Sequence, residues 1–155
     1  MDFTKRAKEI IEKILYITIA SVTPDGKPWS SPVYSAYDKK NYTFYWVSPV
    51  TTQHTKNIAA HPEVFLVIYD STVPEGTGEG VYIQARAEEV KDEAEMRHAI
   101  GLLYSRKSKP PRDAAQFTGD SPRRIYKAKP LKAWMNDSEE SNGVHLDKRV
   151  EIQLP

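Results

Sequence analysis

The chain has 155 residues, of which 39% are hydrophobic and 28% charged, with a formal net charge of +1. This size predicts a single domain, 1–155, that buries roughly 70% of its unfolded surface. The near-neutral charge gives no overall attraction for nucleic acid or acidic lipid, so any anion that binds should be small and held by a local site. Because cysteine is absent, disulfides, thiol catalysis and cysteine-ligated metals are excluded.

The N-terminal segment carries apolar residues at helical spacing from Phe3 to Ile14, with charged residues on the opposite face. This pattern predicts an amphipathic helix packed on a core. The same charges are unlike those of a secretory signal, and the chain has no run of about 18 apolar residues. We therefore expect a cytoplasmic protein without a membrane partner.

The next segment, 16–22, changes to the two-residue period of a strand, and turn residues follow at 23–26. Together they predict a hairpin. The returning segment, 27–37, contains Pro28 and Pro32, which cannot donate to a strand ladder. We therefore expect an edge strand or a bulged strand, whose free backbone groups could meet a ligand.

The central stretch, 42–70, begins with an aromatic and β-branched run and breaks at Ser48 and Pro49. A short helix is predicted up to Pro62, followed by a strand at 64–69 that is apolar almost throughout and should be buried on both faces. Backbone N–H groups are unpaired where a helix begins, and Thr52, His54 and Lys56 add donors there. The pattern predicts an anion site, although an ordinary N-cap with a surface His and Lys is the alternative.

The segment 104–124 is polar and rich in proline. We expect it to be a solvated irregular connection in preference to a nucleic-acid patch, because its basic residues are few and only Phe117 could stack on a base. The other predicted elements are a surface loop at 71–80, a strand at 81–90, a helix from Asp92, a strand at 123–135, a loop at 136–143 and a short strand at 144–154.

Side chains for hydrolysis or metal binding are not evident in the sequence. His54 and His61 are seven residues apart, but Pro62 ends the helix and at least one further ligand would be needed, so no metal site is expected. The chain has no Gly-x-Ser-x-Gly motif for a serine nucleophile. Flavin chemistry requires fewer catalytic side chains, because the cofactor carries the electrons and the protein binds and orients it.

The order of elements in 17–90 resembles the flavin-binding split-barrel family that includes pyridoxamine phosphate oxidase. The resemblance rests on a strand, a Ser/Thr-rich turn, a short polar helix with Asn57-Ile58 and His61-Pro62, and an apolar strand, with a weaker echo at 132–134 and 147–149. It implies a mostly β fold with flanking helices, a six- to seven-stranded antiparallel split β-barrel. It also implies a homodimer with FMN at the subunit interface and a flavin-dependent oxidoreductase of unassigned substrate, with a nicotinamide as candidate electron donor.

The resemblance also assigns cofactor-binding residues. It places Ser31, Pro32 and Val33 along the flavin, Tyr45 and Trp46 beside its phosphate-bearing chain, Thr52, Gln53 and His54 at the phosphate, Trp134 beside the isoalloxazine, and Arg149 as the family's late arginine. Ser30 and Ser35 stand where the family has an arginine and a lysine, and Gln53 and His54 stand at positions that are usually basic. The resemblance therefore implies a weaker hold on the phosphate.

Two alternatives share the same fold. One is a non-catalytic protein that holds a flavin, a haem or a deazaflavin as a sensor or store, and the other is a barrel that has lost its cofactor. Oxidation of vitamin B6 phosphates is not expected, because a second phosphate calls for two or more basic side chains and only Arg149 stands where the family places a substrate contact.

Overall fold

The computed structural model describes residues 2–155, with the side chains of all of these except 138–141 and 145. The described chain forms three α-helices, eight strands and one 3₁₀ turn. In order these are α1 (Phe3–Lys13), β1 (Tyr16–Val22), β2 (Pro28–Tyr34), β3 (Ala36–Tyr37), β4 (Phe44–Pro49), α2 (Gln53–Ala60), β5 (Glu63–Tyr69), β6 (Gly80–Glu89), α3 (Glu93–Arg106), the 3₁₀ turn (Ala114–Phe117), β7 (Arg123–Ser141) and β8 (Val144–Ile152).

All strand pairs are antiparallel and form one sheet in the order β2-β1-β5-β6-β7-β4-β3, with β8 added to β7. β2 and β3 are separated in sequence by Ser35 alone, yet they lie at opposite ends of this order. The sheet must therefore curl until its two edges approach each other. This half-barrel with flanking helices confirms the predicted fold class, and the proline-containing segment 27–37 supplies both edges.

The interior of the curled sheet is an apolar core formed by alternate strand residues. Ile19, Leu66 and Ile83 point inward from three neighbouring strands and are almost completely buried, and Ile11 of α1 packs with them. A second cluster lies beneath α3, where Leu103 meets neighbouring apolar side chains. The alternation follows from the two-residue period of a strand, which directs successive side chains to opposite faces.

β5 departs from the expectation of burial on both faces. Its inward residues Val64, Leu66 and Ile68 are buried, whereas Phe65 and Val67 are only half-buried on the outer face. The prediction was wrong because a continuous apolar run does not show whether one face of the strand or both faces are buried. Here the outer face of the strand is covered only in part by the described chain.

The segment after Met135 is also different from its prediction as a loop. β7 continues to Ser141 and pairs with β8 as far as Val144, so only Asn142 and Gly143 form the turn. Both turn residues have positive φ, 51° and 74°, as two-residue hairpin turns that match the strand twist require. Strand pairing thus overrides the polar composition that favoured a loop.

Two of the three helices begin with a side-chain cap. Asp2 accepts a hydrogen bond from the backbone N–H of Lys5 at 3.0 Å, and Asp92 accepts one from that of Glu95 at 2.8 Å. The C-terminal end of α1 is closed by Arg106, which donates to three of its terminal carbonyl groups. These contacts satisfy the unpaired groups at the helix ends, and α2 lacks such a contact at its start.

Candidate functional site

The turn between β4 and α2 leaves the start of a helix open. Thr52 is the N-cap residue in an extended conformation, but its side chain makes no capping hydrogen bond to the helix backbone. Its hydroxyl oxygen lies 3.1 Å from the carbonyl oxygen of Pro49 and 2.9 Å from the hydroxyl oxygen of Thr55. The first N–H groups of α2 are therefore not capped by this side chain, which is the arrangement that binds anions at helix starts.

His54 lies in the first turn of α2 and is directed into the protein. Its Nε2 is 2.7 Å from the hydroxyl of Ser48 and 3.2 Å from that of Thr52, and the residue is 9% exposed. Burial lowers the pKa of His54, because the imidazolium form would lose its hydration. Near pH 7 the ring is thus neutral, and it orders two hydroxyl groups of the turn instead of adding a positive charge.

Hydrogen bonds of Gln53 and Asn57 connect α2 to the sheet. The side-chain amide of Gln53 donates to Asn57 at 2.8 Å, and Asn57 donates to the hydroxyl of Ser21 on β1 at 3.0 Å. Asn57 is completely buried. Gln53 therefore already serves a structural contact, which leaves its backbone N–H as the group free to meet an anion.

The predicted residues on β2 have different exposures. Pro32 is exposed, Ser31 is half-buried and accepts a hydrogen bond from Trp29 at 3.2 Å, and Val33 is 8% exposed within the core. β2 pairs only with β1, so its other backbone edge has no strand partner. α2 packs against both β1 and β2. The helix start and the free strand edge thus belong to one region of the surface.

Tyr45 and Trp46 are directed into the core and not toward a ligand beside β4. The hydroxyl of Tyr45 donates to Glu95 at 3.1 Å, and Glu95 is also paired with the buried Lys127 at 2.6 Å. Trp46 is fully buried and stacks on Tyr126 with ring centroids 6.0 Å apart. The placement of Tyr45 and Trp46 beside the phosphate-bearing chain of the cofactor stays a prediction, and in this fold it would depend on their backbone groups because both side chains are buried.

The outer face of the sheet carries a row of half-buried aromatic side chains that the sequence did not single out as a group. Trp134 stacks on Phe65 with ring centroids 6.2 Å apart. The guanidinium of Arg149 lies 4.0 Å from the ring centre of Tyr82 and 5.6 Å from that of Phe65. We call these four residues the outer aromatic cluster. It offers a flat apolar surface with one cation, suited to a planar ring or to another protein surface.

One row of the sheet connects this cluster to β2. In the strand register Pro32 is opposite Thr18, Thr18 opposite Val67, Val67 opposite Tyr82 and Tyr82 opposite Trp134. Four strand spacings separate Pro32 from Trp134, which is roughly 19 Å along the sheet. The predicted site residues thus fall into two groups within one chain. The β2–α2 group lies at the β2 edge of the sheet, and the outer aromatic cluster lies on the central strands β5, β6 and β7 and on β8.

The sequence analysis did not include four residues that the structure places in these two groups or next to them: Ser48, Asn57, Phe65 and Tyr82. For Phe65 and Tyr82 the strand register was the missing information, since the alternation of β5 and β6 was visible but the facing partners were not. Ser48 and Asn57 are polar residues in mainly apolar surroundings. That pattern could have drawn attention to them, because buried polar groups are normally paired.

Within residues 2–155, no helix is both long and apolar enough to cross a membrane. Among the described side chains, no three His, Asp or Glu residues are grouped as ligands for a metal ion. His54 faces Ser48 inside the protein, whereas His61 is exposed at the end of α2.

A curled antiparallel sheet with flanking helices defines a split-barrel protein. A family model described as pyridoxamine 5'-phosphate oxidase matches residues 3–137. The chain therefore belongs to the pyridoxamine 5'-phosphate oxidase family. No curated protein matches the sequence.

Solved structures of similar fold come from proteins with different described roles. A putative 5-nitroimidazole antibiotic resistance protein from Bacteroides thetaiotaomicron has 16% identity and a TM-score of 0.69, over 84% of this chain and 81% of that one. A heme-binding protein from Mycobacterium smegmatis has 16% identity and a TM-score of 0.68, over 94% of this chain and 57% of that one. An F420 reductase has 21% identity and a TM-score of 0.59, over 81% of this chain and 94% of that one. At these identities the likeness shows the fold alone.

Proposed function

We propose that this protein binds FMN and acts as a flavin-dependent oxidoreductase, with the phosphate at the start of α2. The observation that carries the proposal is the uncapped N-terminus of α2, next to the free edge of β2. Backbone N–H groups and the helix dipole at such a start favour a phosphate. Membership of a family described as an oxidase supports redox chemistry. When bound, the flavin supplies the electron-accepting ring, and the protein supplies binding and orientation.

The affinity for the phosphate should depend mainly on the backbone N–H groups at the start of α2. His54 is neutral near pH 7 because burial lowers its pKa, and the side chain of Gln53 is bonded to Asn57. Neutral donors bind a phosphate less strongly than the charge-assisted bonds of arginine or lysine. FMN should therefore be favoured over riboflavin, but by less than in a site lined with cations.

We further propose a homodimer with the flavin between subunits. Trp134 and Pro32 lie roughly 19 Å apart along the sheet, so a single flavin ring does not contact both of them within one chain. The outer aromatic cluster is also a half-buried aromatic surface of a kind that mediates association. In a symmetric dimer the outer faces of two subunits meet, and Trp134 of one subunit can then face β2 of the other.

A second candidate is a non-catalytic protein that holds a haem or a deazaflavin. It is favoured by similarity of fold to a heme-binding protein and to an F420 reductase, together with the burial of His54, which disfavours its charged form at the start of α2. Efficient oxidation of B6 phosphates is not proposed. Arg149, the one cation expected at such a substrate, already lies against the ring of Tyr82.

The ligand class is tested by the absorbance spectrum of the purified protein and by titration with FMN, riboflavin, haem and a deazaflavin. FMN should bind with quenching of its fluorescence, and more tightly than riboflavin. Reduction of the bound FMN by reduced nicotinamide would support an enzyme over a sensor. Equal affinity for FMN and riboflavin, or preference for haem, would contradict the phosphate assignment.

A backbone variant tests the helix start directly. Gln53 is the first residue of α2, a position where proline fits a helix but has no N–H to donate. Gln53→Pro should weaken FMN binding about 10- to 150-fold, the loss expected for one hydrogen bond to a charged group. Riboflavin binding should change little. Gln53→Ala is the matched control, because it removes the same side chain and keeps the N–H.

A further inference from the structure

A cavity of about 650 Å³ lies between α2 and α3, beside the last residues of β6. Apolar residues of α2 and β6 form part of its lining, among them Ile58, Ala59 and Ala87, and the side chains of Ile58 and Ala87 are buried. Its volume is in the range of small-molecule sites. We call it the α2–α3 cavity, and it includes none of the residues predicted to bind the cofactor.

Lys127 of β7 also lines this cavity and carries a buried charge. Its side chain is 9% exposed, and its Nζ donates to Glu95 of α3 at 2.6 Å. Burial by itself lowers the pKa of Lys127, but the hydrogen bond and the charge of Glu95 have the larger effect, and the pKa is raised. Near pH 7 the group is therefore an ammonium with three N–H donors.

The hydrogen bonds of this ammonium are incomplete. Glu88 lies 3.4 Å from Nζ and its side chain is 57% exposed, whereas a charged hydrogen bond is normally about 2.7–2.9 Å long. Among the residues that the structure describes, the third N–H has no acceptor. A buried donor without an acceptor costs free energy, so an acceptor placed in the cavity stabilises the charge.

Four carboxylates line the cavity as well, but each of them already has a partner. Those of Glu88 and Glu95 are paired with Lys127, and that of Glu89 lies 3.4 Å from an arginine of β7. Asp92 accepts a hydrogen bond at 2.8 Å from the N–H of the third residue of α3. A cationic ligand would have to displace these partners.

The two remaining charged residues of the lining are cations. Arg86 and Lys91 are exposed, and neither forms an ion pair with a carboxylate among the side chains described here. A ligand that carries a negative charge gains from both of them and from the free N–H of Lys127. The charges of the cavity therefore favour an anion over a cation.

We infer that the α2–α3 cavity binds a small carboxylic acid with an apolar body. The carboxylate accepts a hydrogen bond from Lys127, and the hydrocarbon part lies against Ile58 and Ala59. A single negative charge fits better than the double charge of a phosphate, because the four carboxylates of the lining repel a dianion more strongly. The site goes beyond the proposed FMN site and does not depend on it, since Thr52 at the helix start is not part of the lining.

The test is an NMR titration of the isotope-labelled full chain with benzoate, benzyl alcohol and benzylamine. These probes share one ring and differ in the charge of the attached group. Benzoate should bind about tenfold or more tightly than benzyl alcohol, because it adds a charged hydrogen bond to Lys127. The backbone signals of Ala59, Ala87 and Lys91 should shift, and that of Thr52 should not.

A pair of neighbouring alanines gives a steric variant with a matched control. Ala59 and Ala60 are both exposed at the end of α2, but only Ala59 lines the cavity. Ala59→Phe should fill part of the cavity and weaken benzoate binding about tenfold or more. Ala60→Phe adds the same ring to the same turn of the helix and should leave the affinity unchanged.

A second pair of variants tests the charges. Arg86→Gln with Lys91→Gln should weaken benzoate binding about two- to tenfold, with a smaller loss at high salt, because both charges are exposed. The control is Lys40→Gln with Lys109→Gln, which removes two exposed positive charges outside the lining. Affinity for benzoate should be the same in the control and the wild type.

Four results would overturn the inference. The first is no binding of benzoate, as would occur if a second copy of the chain covers the cavity. The second is a shift at Thr52 without shifts at Ala59 and Lys91, which would place the anion at the start of α2. The third is tighter binding of benzylamine than of benzoate. The fourth is an equal loss of affinity in Ala59→Phe and Ala60→Phe.

Discussion

At the scale of single residues, His54 shows how burial changes what a side chain can contribute. In the sequence it is a basic residue at the start of a helix, and a charged contact to phosphate is the natural expectation. In the fold its ring faces two hydroxyl groups inside the protein, and burial lowers its pKa. A contact that depends on the imidazolium is therefore disfavoured in the pH range where most enzymes work.

The lowered pKa of His54 predicts how stability depends on pH. Above the unfolded-state pKa of about 6.5 the ring of His54 is neutral in both the folded and the unfolded state. In that range its titration does not change the free energy of unfolding. As the pH falls below that value the unfolded state takes up the proton first, so the free energy of unfolding decreases until the folded pKa is passed. His54→Gln should reduce this decrease as the pH falls below the unfolded pKa of about 6.5 in denaturant titrations.

The control for this measurement is His61→Gln, because His61 is exposed at the opposite end of α2. It should keep the pH dependence of the wild type. Parallel curves for the wild type and His54→Gln over the whole range would show that His54 is not titrated differently in the two states.

At the scale of elements, α2 is placed by a chain of side-chain amides and a hydroxyl. Asn57 is fully buried and joins Gln53 on the helix to Ser21 on β1. α2 has eight residues, and a helix of that length is marginal without tertiary contacts. The position of its open N-terminus therefore depends on this link to the sheet.

The link predicts a large effect for a small change. Asn57→Ala leaves the hydroxyl of Ser21 and the amide of Gln53 without their partner, and should lower the free energy of unfolding by about 1–3 kcal/mol. Chemical denaturation measures this loss. Lys56→Ala, on the adjacent exposed position, should change stability by less than about 0.5 kcal/mol. Similar losses in both variants would mean that the contact contributes nothing beyond helix propensity.

At the scale of the whole molecule, the two groups of candidate site residues lie on separate parts of one curled sheet. Trp134 is half-buried on the outer face and stands four strand spacings from Pro32 at the edge of β2. In the proposed homodimer, a second copy of the chain would complete the flavin site. Dimer formation and flavin binding should therefore be linked, with each stabilising the other.

Light scattering should give a mass of twice 17.7 kDa for the wild type. Phe65→Glu places a charge in the outer aromatic cluster, where association would bury it without a partner, so it should yield a monomer with weakened FMN binding. Val73→Glu, at an exposed position in the loop before β6, is the control and should remain dimeric. A strictly monomeric wild-type chain that still binds FMN would contradict the shared site.

The sequence by itself determined the split-barrel class, the three helices and the position of the turn before α2. Hydrophobic periods, prolines and caps act within a few residues, so α1, α3 with its Asp92 cap, and the edge character of 27–37 could all be predicted. Local composition failed at 136–141, where pairing with β8 decided the structure.

Only the tertiary structure decided which side chains meet. Strand register brought Phe65, Tyr82, Trp134 and Arg149 together, and the packing of β4 turned Tyr45 and Trp46 into the core. Burial lowered the pKa of His54. The physical reason is the same in each case: contacts, burial and charge compensation arise between residues far apart in the chain, and no local pattern encodes them.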